Sequence, residues 1–378
     1  MNFRRAAAGD VYLILELMEK ASPPGFQQPH FDVRVLRASL ESESIHWILG
    51  STNAGAVAAL CLDLDPGQKI CKLTQILIDP AAPARTAVLR GCLRATIAYL
   101  PETGLPFDLV YVTTQTVSLD DHRITAEEGF TVLGIFPNVT GWDATMMNGI
   151  AAFYYPGVLE RKRDPSFRLH PTILPFFELT RKKLDLPELL AADPVVAEYP
   201  EAEALPPLEM IRAQKFVLSR FNKLRQRQAQ LNNFYPFRLP NCLLTDPDQR
   251  IEIFLHLKED IGFAAVIGET LEGPVDPVRL YLLLLRHLRQ AGVSYVEAIN
   301  DASDTHGISC ILEAGFVPCA YVPAFKETGR IRRDYVVFGK SFESLSTSGR
   351  KVSGAYEDFY REYARVEKGA RVPEAPTA

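Results

Sequence analysis

The sequence repeats one short phrase, Ile124-Thr-Ala-Glu-Glu-Gly-Phe130, as Cys310-Ile-Leu-Glu-Ala-Gly-Phe316, which stands 186 residues later. In both places a Pro follows, at Pro137 and at Pro323. Glycine after a helix is the usual residue of a left-handed helix cap, and the Phe that follows begins the next strand. The matching Glu, Gly-Phe and Pro at equal offsets predict that the chain contains two copies of one fold.

The elements predicted around the phrase follow the same plan in both halves. In the first half, apolar spacing predicts the order strand, helix, helix, three strands, helix, strand, helix, two strands. Asp79-Pro80 ends the strand before the long helix, and Asp276-Pro277 stands at the corresponding place in the second half. The predicted class is therefore α/β in the α+β sense, with a mixed, mostly antiparallel central sheet flanked by helices in each copy.

Prolines divide the stretch between the two halves, which predicts a partly helical connector rather than a third core. We predict an N-terminal domain over residues 1–155, a connector over 156–235, a C-terminal domain over 236–345 and a partly disordered tail over 346–378.

Composition limits the class of protein. The 378 residues exceed what one core usually supports, and 47% hydrophobic residues is ordinary for a globular chain. The net charge of -5 argues against a broad nucleic-acid surface. Six widely spaced cysteines predict buried thiols and no metal site. No apolar stretch is long enough to cross a bilayer, so we expect a cytoplasmic protein with no membrane partner.

The first half resembles the GNAT superfamily of N-acetyltransferases. The likeness is carried by Arg5 to Leu17 as the opening strand, turn and helix, by Leu73-Thr-Gln-Ile-Leu-Ile-Asp79-Pro80 as the fourth strand, and by Glu127 to Pro137. Residues 240–343 resemble a second, more diverged copy. The resemblance implies an acyl-CoA-dependent transfer, with acetyl-CoA or another acyl-CoA as donor and the amine of a small molecule or peptide as acceptor.

The resemblance also implies where the donor binds. Strands four and five of the family diverge, and the next helix presents its free N–H groups to pyrophosphate. In this sequence the implied cofactor residues are Ile76, Leu77, Ile78, Ala84, Arg85, Thr86 and Ala87. The loop departs from the family's glycine-rich pattern, because it has alanines where glycine lets a phosphate approach the backbone. In the second copy, the Asp276 carboxylate competes with phosphate, so we expect only the first copy to bind a donor.

Two residues are candidates for proton transfer or cofactor contact near the short helix, namely Ser118 and His122. The family's usual strand-four Glu is replaced by Lys72, and neither short helix has the usual Tyr. His122 has a suitable side-chain pKa range for proton transfer, and the alternative is a solvated His in a first helical turn. Ser118 would bond the cofactor, and the alternative is a helix N-cap.

Two alternative functions stay open at this point. In the first, both copies have lost CoA binding and the chain is a ligand-binding or interaction protein. In the second, the protein is an acyltransferase whose donor is a carrier protein or aminoacyl-tRNA docked on the basic helix over residues 208–231. A loop from Lys326 to Arg333 would either bind an anionic substrate or form a solvated hairpin tip.

Overall fold

The computed structural model describes residues 1–21, 32–53, 55–113, 121–137, 148–193, 205–227, 234–343 and 354–369. Contacts divide the chain into two compact units. The first unit comprises Met1–Val132 and Gly149–Val158, and the second comprises Leu133–Asn148 and Leu159–Ala378. The contiguous boundaries expected from the sequence remain a prediction, and the contacts assign residues 133–148 to the second unit.

The elements of the first half occur in the predicted order. They are β1 (Asn2–Arg5), α1 (Val11–Ala21), α2 (Val33–Leu40), β2 (Ile45–Thr52), β3 (Gly55–Asp65), β4 (Ile70–Ile78), α3 (Arg85–Glu102), β5 (Leu109–Thr113), α4 (His122–Glu127), β6 (Thr131–Phe136) and β7 (Asn148–Tyr154).

The sheet of the first unit has the strand order β1-β2-β3-β4-β5-β7. Its β4–β5 pair is parallel, and the other neighbouring pairs are antiparallel. The alternation of side chains along these strands separates two cores. Leu62, Leu73 and Val112 pack with α3 on one face, whereas Cys61 and Leu77 pack with α1 and α2 on the other. The predicted mixed, mostly antiparallel sheet is confirmed for this unit.

The remaining elements are α5 (Val158–Arg161), α6 (Leu174–Leu184), β8 (Glu209–Ile211), α7 (Gln214–Arg227), β9 (Cys242–Thr245), β10 (Ile251–Lys258), β11 (Phe263–Leu271), α8 (Pro277–Gln290), β12 (Tyr295–Asp301), α9 (Thr305–Glu313), β13 (Val317–Thr328), β14 (Ile331–Ser341) and α10 (Gly354–Gly369). The sheet of the second unit has the order β6-β13-β14-β12-β11-β10-β9-β8, in which β11 and β12 are parallel. It is again mixed and mostly antiparallel.

Both glycines of the repeated phrase have the predicted left-handed conformation. Gly129 and Gly315 each have φ of +85°. The amide of the Phe after each glycine donates to the carbonyl five residues earlier, at 3.1 Å in the first phrase and 3.2 Å in the second. This is the Schellman helix end, and it turns Phe130 and Phe316 into the core, where they are 2% and 0% exposed.

The hairpin-tip interpretation of residues 326–333 is confirmed, since Gly329 and Arg330 form an exposed turn between β13 and β14, but the two strands continue further into this segment than predicted. Lys326 pairs with Arg333, and Thr328 pairs with Ile331. Arg332 is 1% exposed and donates to the carbonyls of Ala324 and Phe325, at 2.5 and 2.6 Å. Its guanidinium is therefore used inside the unit rather than offered to a ligand.

Part of the predicted tail is helical, since Gly354–Gly369 form the helix α10. Tyr356, Phe359 and Tyr363 repeat at helical spacing and are 3%, 0% and 2% exposed. The helix packs on α6 and β13. The aromatic residues of the tail therefore belong to a packed helix, and disorder in part of the tail stays a prediction. None of the described helices combines the length and the apolar character needed to span a membrane.

A buried ion pair ties the start of the connector to the second unit. Arg163 donates to both carboxylate oxygens of Asp334 at 2.6–3.0 Å, and the two side chains are 1% and 0% exposed. Asp334 also accepts from the Tyr321 hydroxyl and from the Ala324 amide. A buried charge pair persists when its remaining hydrogen-bonding capacity is satisfied, as it is here.

Candidate functional site

The two parallel strands of the first unit are paired along only part of the length of β4. Ile70 to Leu73 of β4 pair with Leu109 to Val112 of β5, and β5 is described as far as Thr113. Beyond Leu73, β4 continues to Ile78 with β3 as its partner. Over the described residues, β4 thus has an edge with no strand on the β5 side from residue 74 to residue 78. The three strand residues predicted to contact a cofactor, Ile76, Leu77 and Ile78, lie on this edge.

A β-bulge coincides with the separation. The register between β3 and β4 shifts between Cys61 and Leu62, so that Thr74 is the extra residue. The Thr74 hydroxyl donates to the Cys61 carbonyl at 3.1 Å, which holds the bulge in place. A bulge bends its strand and interrupts the ladder. We call the opening between the described ends of β4 and β5 the slot.

The helix α3 starts beyond the slot without a capping side chain. Ala84 precedes it with φ of +56°, and no side chain accepts a hydrogen bond at this cap. The Asp79 carboxylate caps the turn before it instead, by accepting from the Ala81 amide at 2.8 Å. Thr86 and Ala87 in the first turn are exposed. Amides of a first helical turn together with the helix dipole attract an anion.

Arg85 bridges the starts of two helices. Its guanidinium makes two parallel hydrogen bonds to the Asp121 carboxylate, at 2.7 and 2.8 Å. The Arg85 side chain is 49% exposed, whereas that of Asp121 is 6% exposed. The bidentate pair links α3 to the N-cap of α4, so two donors of Arg85 are engaged within the protein. Sequence reasoning placed Arg85 near the phosphate position and missed this partner.

The structure describes only one of the two candidate catalytic residues, His122 and Ser118. His122 is the first residue of α4, next to Asp121, and it is 6% exposed. The alternative reading of a solvated first-turn His is therefore wrong. Ser118 lies outside the described residues. His122 and Arg85 thus meet at the Asp121 end of α4, and a role for His122 in proton transfer stays a prediction.

A row of polar side chains, which the sequence did not reveal, crosses β3, β4 and β5 on the face opposite to α3. Asp63 on β3 pairs with Lys72 on β4, and Lys72 pairs with Tyr111 on β5. The Lys72 ammonium lies 5.7 Å from the centre of the Tyr111 ring. Burial raises the pKa of the Asp63 carboxyl, and the Lys72 charge opposes this shift. The row lies one residue below the last β4–β5 pair.

Gln75 stands at the start of the slot on the same face. It pairs with Cys61, which is two residues from Asp63 on β3, so these side chains share a face. The Gln75 Oε1 atom is buried and accepts no hydrogen bond from the described residues. Buried acceptors are nearly always satisfied in folded proteins, and an exception calls for an explanation.

The second unit has a slot of its own. Phe263 to Ala265 of β11 pair with Tyr295 to Glu297 of β12, and then β11 continues to Leu271 beside β10. Side chains of the second unit itself lie beside this slot. Burial raises the pKa of Glu269 on β11 to about 7, and Tyr281 of α8 opposes this shift.

Tyr235 and Arg238, which precede β9, contact Glu297, the last residue of β12 that pairs with β11. The Tyr235 hydroxyl donates to Glu297, and the Arg238 guanidinium lies 3.9 Å from the same carboxylate. Arg238 also stacks over Phe263, with 4.6 Å between the guanidinium carbon and the ring centre. Glu297 is 4% exposed, which means that these contacts cover it.

The N-terminus of α8 also differs from that of α3. The Asp276 carboxylate accepts from the amides of Val278 and Arg279, at 2.9 and 3.2 Å. This is an N-cap, and it places a negative charge where an anion would bind. The predicted competition at the second site therefore has a structural basis.

The polar residues of the turn after β12 form hydrogen bonds that cap the next helix. Asp304 caps α9 by accepting from the Gly307 amide at 2.9 Å, and Asn300 donates to it at 3.2 Å. The Cys310 sulfur lies 3.9 Å from His306 Nε2 and is 2% exposed as a residue. Across the described parts of the chain, no group of three or more His, Cys, Asp or Glu residues has the geometry of a metal site.

A cavity of about 480 Å³ lies at the opposite end of α3 from the slot. It is lined by Arg5, Glu43, His46, Tyr99, Glu102, Thr103 and Leu105. The helix rises about 1.5 Å per residue, so its two ends lie well apart. The cavity therefore has no part in the slot.

Comparison with solved structures gives one consistent result. The structures that resemble part of this chain are GNAT-family acetyltransferases. A ribosomal-protein-S18-alanine N-acetyltransferase from Escherichia coli matches 42% of the chain over 97% of its own length, at 15% identity and a TM-score of 0.35. A GNAT-family acetyltransferase from Streptococcus pneumoniae matches 41% over 99%, at 12% identity and a TM-score of 0.35.

A third match is a variant of spermidine N-acetyltransferase from Vibrio cholerae, with 41% of this chain and 95% of that one covered, 12% identity and a TM-score of 0.33. No protein-family model and no curated protein sequence matches the chain. What the slot does chemically therefore has to be argued from its own residues.

Proposed function

We propose that the protein is an acyl-CoA-dependent N-acyltransferase whose donor binds in the slot of the first unit. The observation that carries this proposal is that no described residue of β5 pairs with β4 beyond Leu73, which leaves a strand edge beside an uncapped helix start. The edge would pair with the amide groups of the pantetheine arm, and the Thr86 amide at the start of α3 would face the pyrophosphate.

The second unit supports the proposal by contrast. Its slot is flanked by the Glu269–Tyr281 pair and by Tyr235 on Glu297, and Asp276 caps its helix. We propose that this unit is a diverged second copy of the same fold that does not bind the donor. The acceptor is proposed to be the amine of a small molecule or peptide, attacked directly on the thioester, and the protein is proposed to be cytoplasmic.

A carrier-protein or aminoacyl-tRNA donor is less well supported by the basic helix α7. Arg220 of this helix makes two hydrogen bonds to Glu252, at 2.8 and 2.9 Å, and Glu252 is 2% exposed. This cation is therefore part of the packing between α7 and β10. A docking surface for an acidic carrier would have to use the other cations of the helix, of which Lys215, Lys223 and Arg225 are exposed.

Isothermal titration of acetyl-CoA and CoA into the purified protein tests the proposal. We expect binding to the wild type and at least tenfold weaker binding to Thr86→Glu, which places a negative charge at the start of α3. Val278→Glu makes the matched change at the start of α8 and should bind like the wild type. No heat with either ligand, or equal binding to the wild type and to Thr86→Glu, would contradict a donor site in the first unit.

A further inference from the structure

We propose that Asp63 is the base that takes the proton from the acceptor amine in the slot, and that Gln75 holds this amine. The inference rests on the proposed function, since it names the groups that would serve the acceptor. It assigns the two ends of the slot to different substrates, with the donor's phosphates at the start of α3 and the amine on the Asp63 face.

The register places Asp63 beside the opening. Asp63 stands opposite Lys72, and the next residue of β4, Leu73, makes the last pair with β5. Neighbouring strands lie about 4.8 Å apart, so a carboxylate on β3 reaches the face of β4 directly or through one water. Leu62 and Leu73 occupy the opposite face, where they pack with α3. Polar side chains therefore mark only one face of the sheet at this point.

Gln75 supplies the observation that points to a ligand. Its Oε1 atom is buried and accepts no hydrogen bond within the described chain. The bulge at Thr74 sets Gln75 on the Asp63 face at the start of the unpaired edge. An amine N–H is a donor of the kind that this acceptor lacks.

Burial and one neighbouring cation act on the Asp63 carboxyl. Burial raises its pKa, and the Lys72 charge opposes this shift. Burial raises the pKa of the Cys61 and Cys71 thiols, and the Asp63 charge adds to this shift, so both thiols stay protonated. Lys72 on β4 is thus the cation that acts on Asp63 across the strands.

The neutral amine attacks the thioester carbonyl carbon, and a C–N bond forms as the carbonyl electrons move to oxygen. The nitrogen loses its proton to the Asp63 carboxylate. The oxyanion then re-forms the C=O bond as the C–S bond breaks, the thiolate of CoA leaves with the C–S electron pair, and solvent returns a proton to it. Asp63 releases its proton to water, and the products are an amide and CoA.

The test is steady-state acyl transfer from acetyl-CoA to a panel of primary amines, comprising alkylamines, polyamines and peptides with free amino termini, with the released thiol read by a chromogenic disulfide. CoA affinity is measured by calorimetry on the same preparations. We expect Asp63→Asn to keep the CoA affinity within a factor of two or three and to lower kcat/KM about 100-fold or more. Asp63→Glu should restore part of the rate.

A pH profile separates a base from a merely structural residue. Lys72→Met removes the charge that lowers the pKa of Asp63, so the acid limb of kcat/KM should move to higher pH. Asp65→Asn is the matched control, because Asp65 lies two residues along β3 and accepts from the Gln68 amide in the turn. It should leave the profile and the rate at wild-type values.

The outcomes are distinct from those of the donor-site proposal. A wild type that binds no CoA contradicts the proposed function itself. A wild type that binds CoA but accelerates no transfer to any amine or to water overturns the assignment of Asp63 and leaves the donor site standing. An Asp63→Asn variant with an unchanged rate, or a Lys72→Met variant with an unmoved acid limb, overturns it as well.

Discussion

Two carboxylates of the second unit differ in their surroundings. Asp334 is buried, keeps Arg163 as a bidentate partner and accepts from Tyr321 and the Ala324 amide. Glu269 is half-buried as a residue, and desolvation is the main cause of the raised pKa of its carboxyl. Removing charge at the two positions should therefore affect stability in opposite senses.

Glu269→Gln should stabilise the protein increasingly as the pH rises. Burial raises the folded-state pKa of Glu269 from its ordinary value of 4.5 to about 7, so its favourable contribution to stability is complete below about pH 4.5 and is lost as the pH rises through 7. Gln has no charge to bury. Thermal melting at pH 5 and at pH 8 should show a gain in Tm for Glu269→Gln that is larger at pH 8. Glu272→Gln, an exposed residue just after β11, should show no such difference.

Asp334→Ala should lower the free energy of unfolding by about 3–5 kcal/mol, because it leaves the buried Arg163 charge without its partner. The double variant Arg163→Met, Asp334→Leu should recover much of this loss, since both charges are gone. Urea titration followed by circular dichroism measures both. Arg361→Ala removes an exposed ion-pair residue of α10 and should cost less than about 1 kcal/mol. An equally small cost for Asp334→Ala would contradict the role given to the pair.

At the scale of single residues, the sequence predicts the residues whose role depends on their neighbours along the chain. Arg85, Thr86 and the helix cap at Asp276 follow from their positions along the chain. Asp63 does not, because its place beside Lys72 depends on cross-strand register, and the bulge at Thr74 shifts that register by one residue. The bidentate Arg85–Asp121 pair was equally out of reach, since 36 residues separate its partners.

The helix ends of the two repeated phrases share backbone geometry but differ in their surroundings. A Cβ on Gly129 would lie 3.2 and 3.4 Å from the Phe153 ring, whereas one on Gly315 would meet the Lys340 ammonium at 3.0 Å. The Phe ring is packed in the core, and the end of a Lys side chain can move away. The same substitution should thus cost more in the first phrase.

Gly129→Ala should lower the free energy of unfolding by about 2 kcal/mol and Gly315→Ala by about 1 kcal/mol, since Ala at positive φ is strained in both. Urea titration of the two variants checks the order. Gly104→Ala provides the strain alone, because Gly104 has φ of +72° and its Cβ would meet nothing within 4 Å. A cost of Gly129→Ala no greater than that of Gly104→Ala would show that the Phe153 contact does not matter.

The order of elements could be predicted where hydrophobic periodicity was strong. Every helix and strand of the first half appears in the predicted order, and the Asp-Pro signals correctly end strand and loop before α3 and α8. The failures have physical causes. The β13–β14 hairpin is longer than predicted because Arg332 is buried by backbone carbonyls rather than solvated, and β8 owes its three residues to pairing with β9.

At the scale of the whole molecule, α10 completes the second unit from the end of the chain. Its aromatic face packs on α6 and β13, and the Lys183 ammonium lies 4.9 Å from the centre of the Phe359 ring. Burial lowers the pKa of Lys183, as expected for an ammonium under an aromatic side chain. The last described helix is thus part of the core rather than an appendage.

Phe359→Ala should lower the free energy of unfolding of the second unit by about 3–5 kcal/mol, because it opens a cavity under a fully buried ring. Tyr360→Ala, at the next position and only half-buried, should cost clearly less. Thermal melting and urea titration of both variants measure the difference. Equal losses in the two variants would mean that α10 contributes no specific packing.

The repeated phrase predicts an internal duplication, but it could not show how the chain is shared between the units. The contacts place residues 133–148 with the second unit, although they lie between two segments of the first. The unit to which a strand belongs depends on which strands pair at long range, and no local pattern in β6 specifies its partner. In that unit Gly134 of β6 pairs with Ala320 of β13, where any side chain on Gly134 would overlap the Ala320 backbone.

The pairing of Gly134 with Ala320 has a consequence for the newborn protein. Residue 134 is synthesised 186 residues before residue 320. At about 5–20 residues per second, the wait is on the order of 10 to 40 seconds. During that time Thr-Val-Leu-Gly-Ile-Phe, the six residues of β6, has no access to β13, which is one of its neighbours in the sheet. A chaperone that binds this apolar hexapeptide would protect it while translation proceeds.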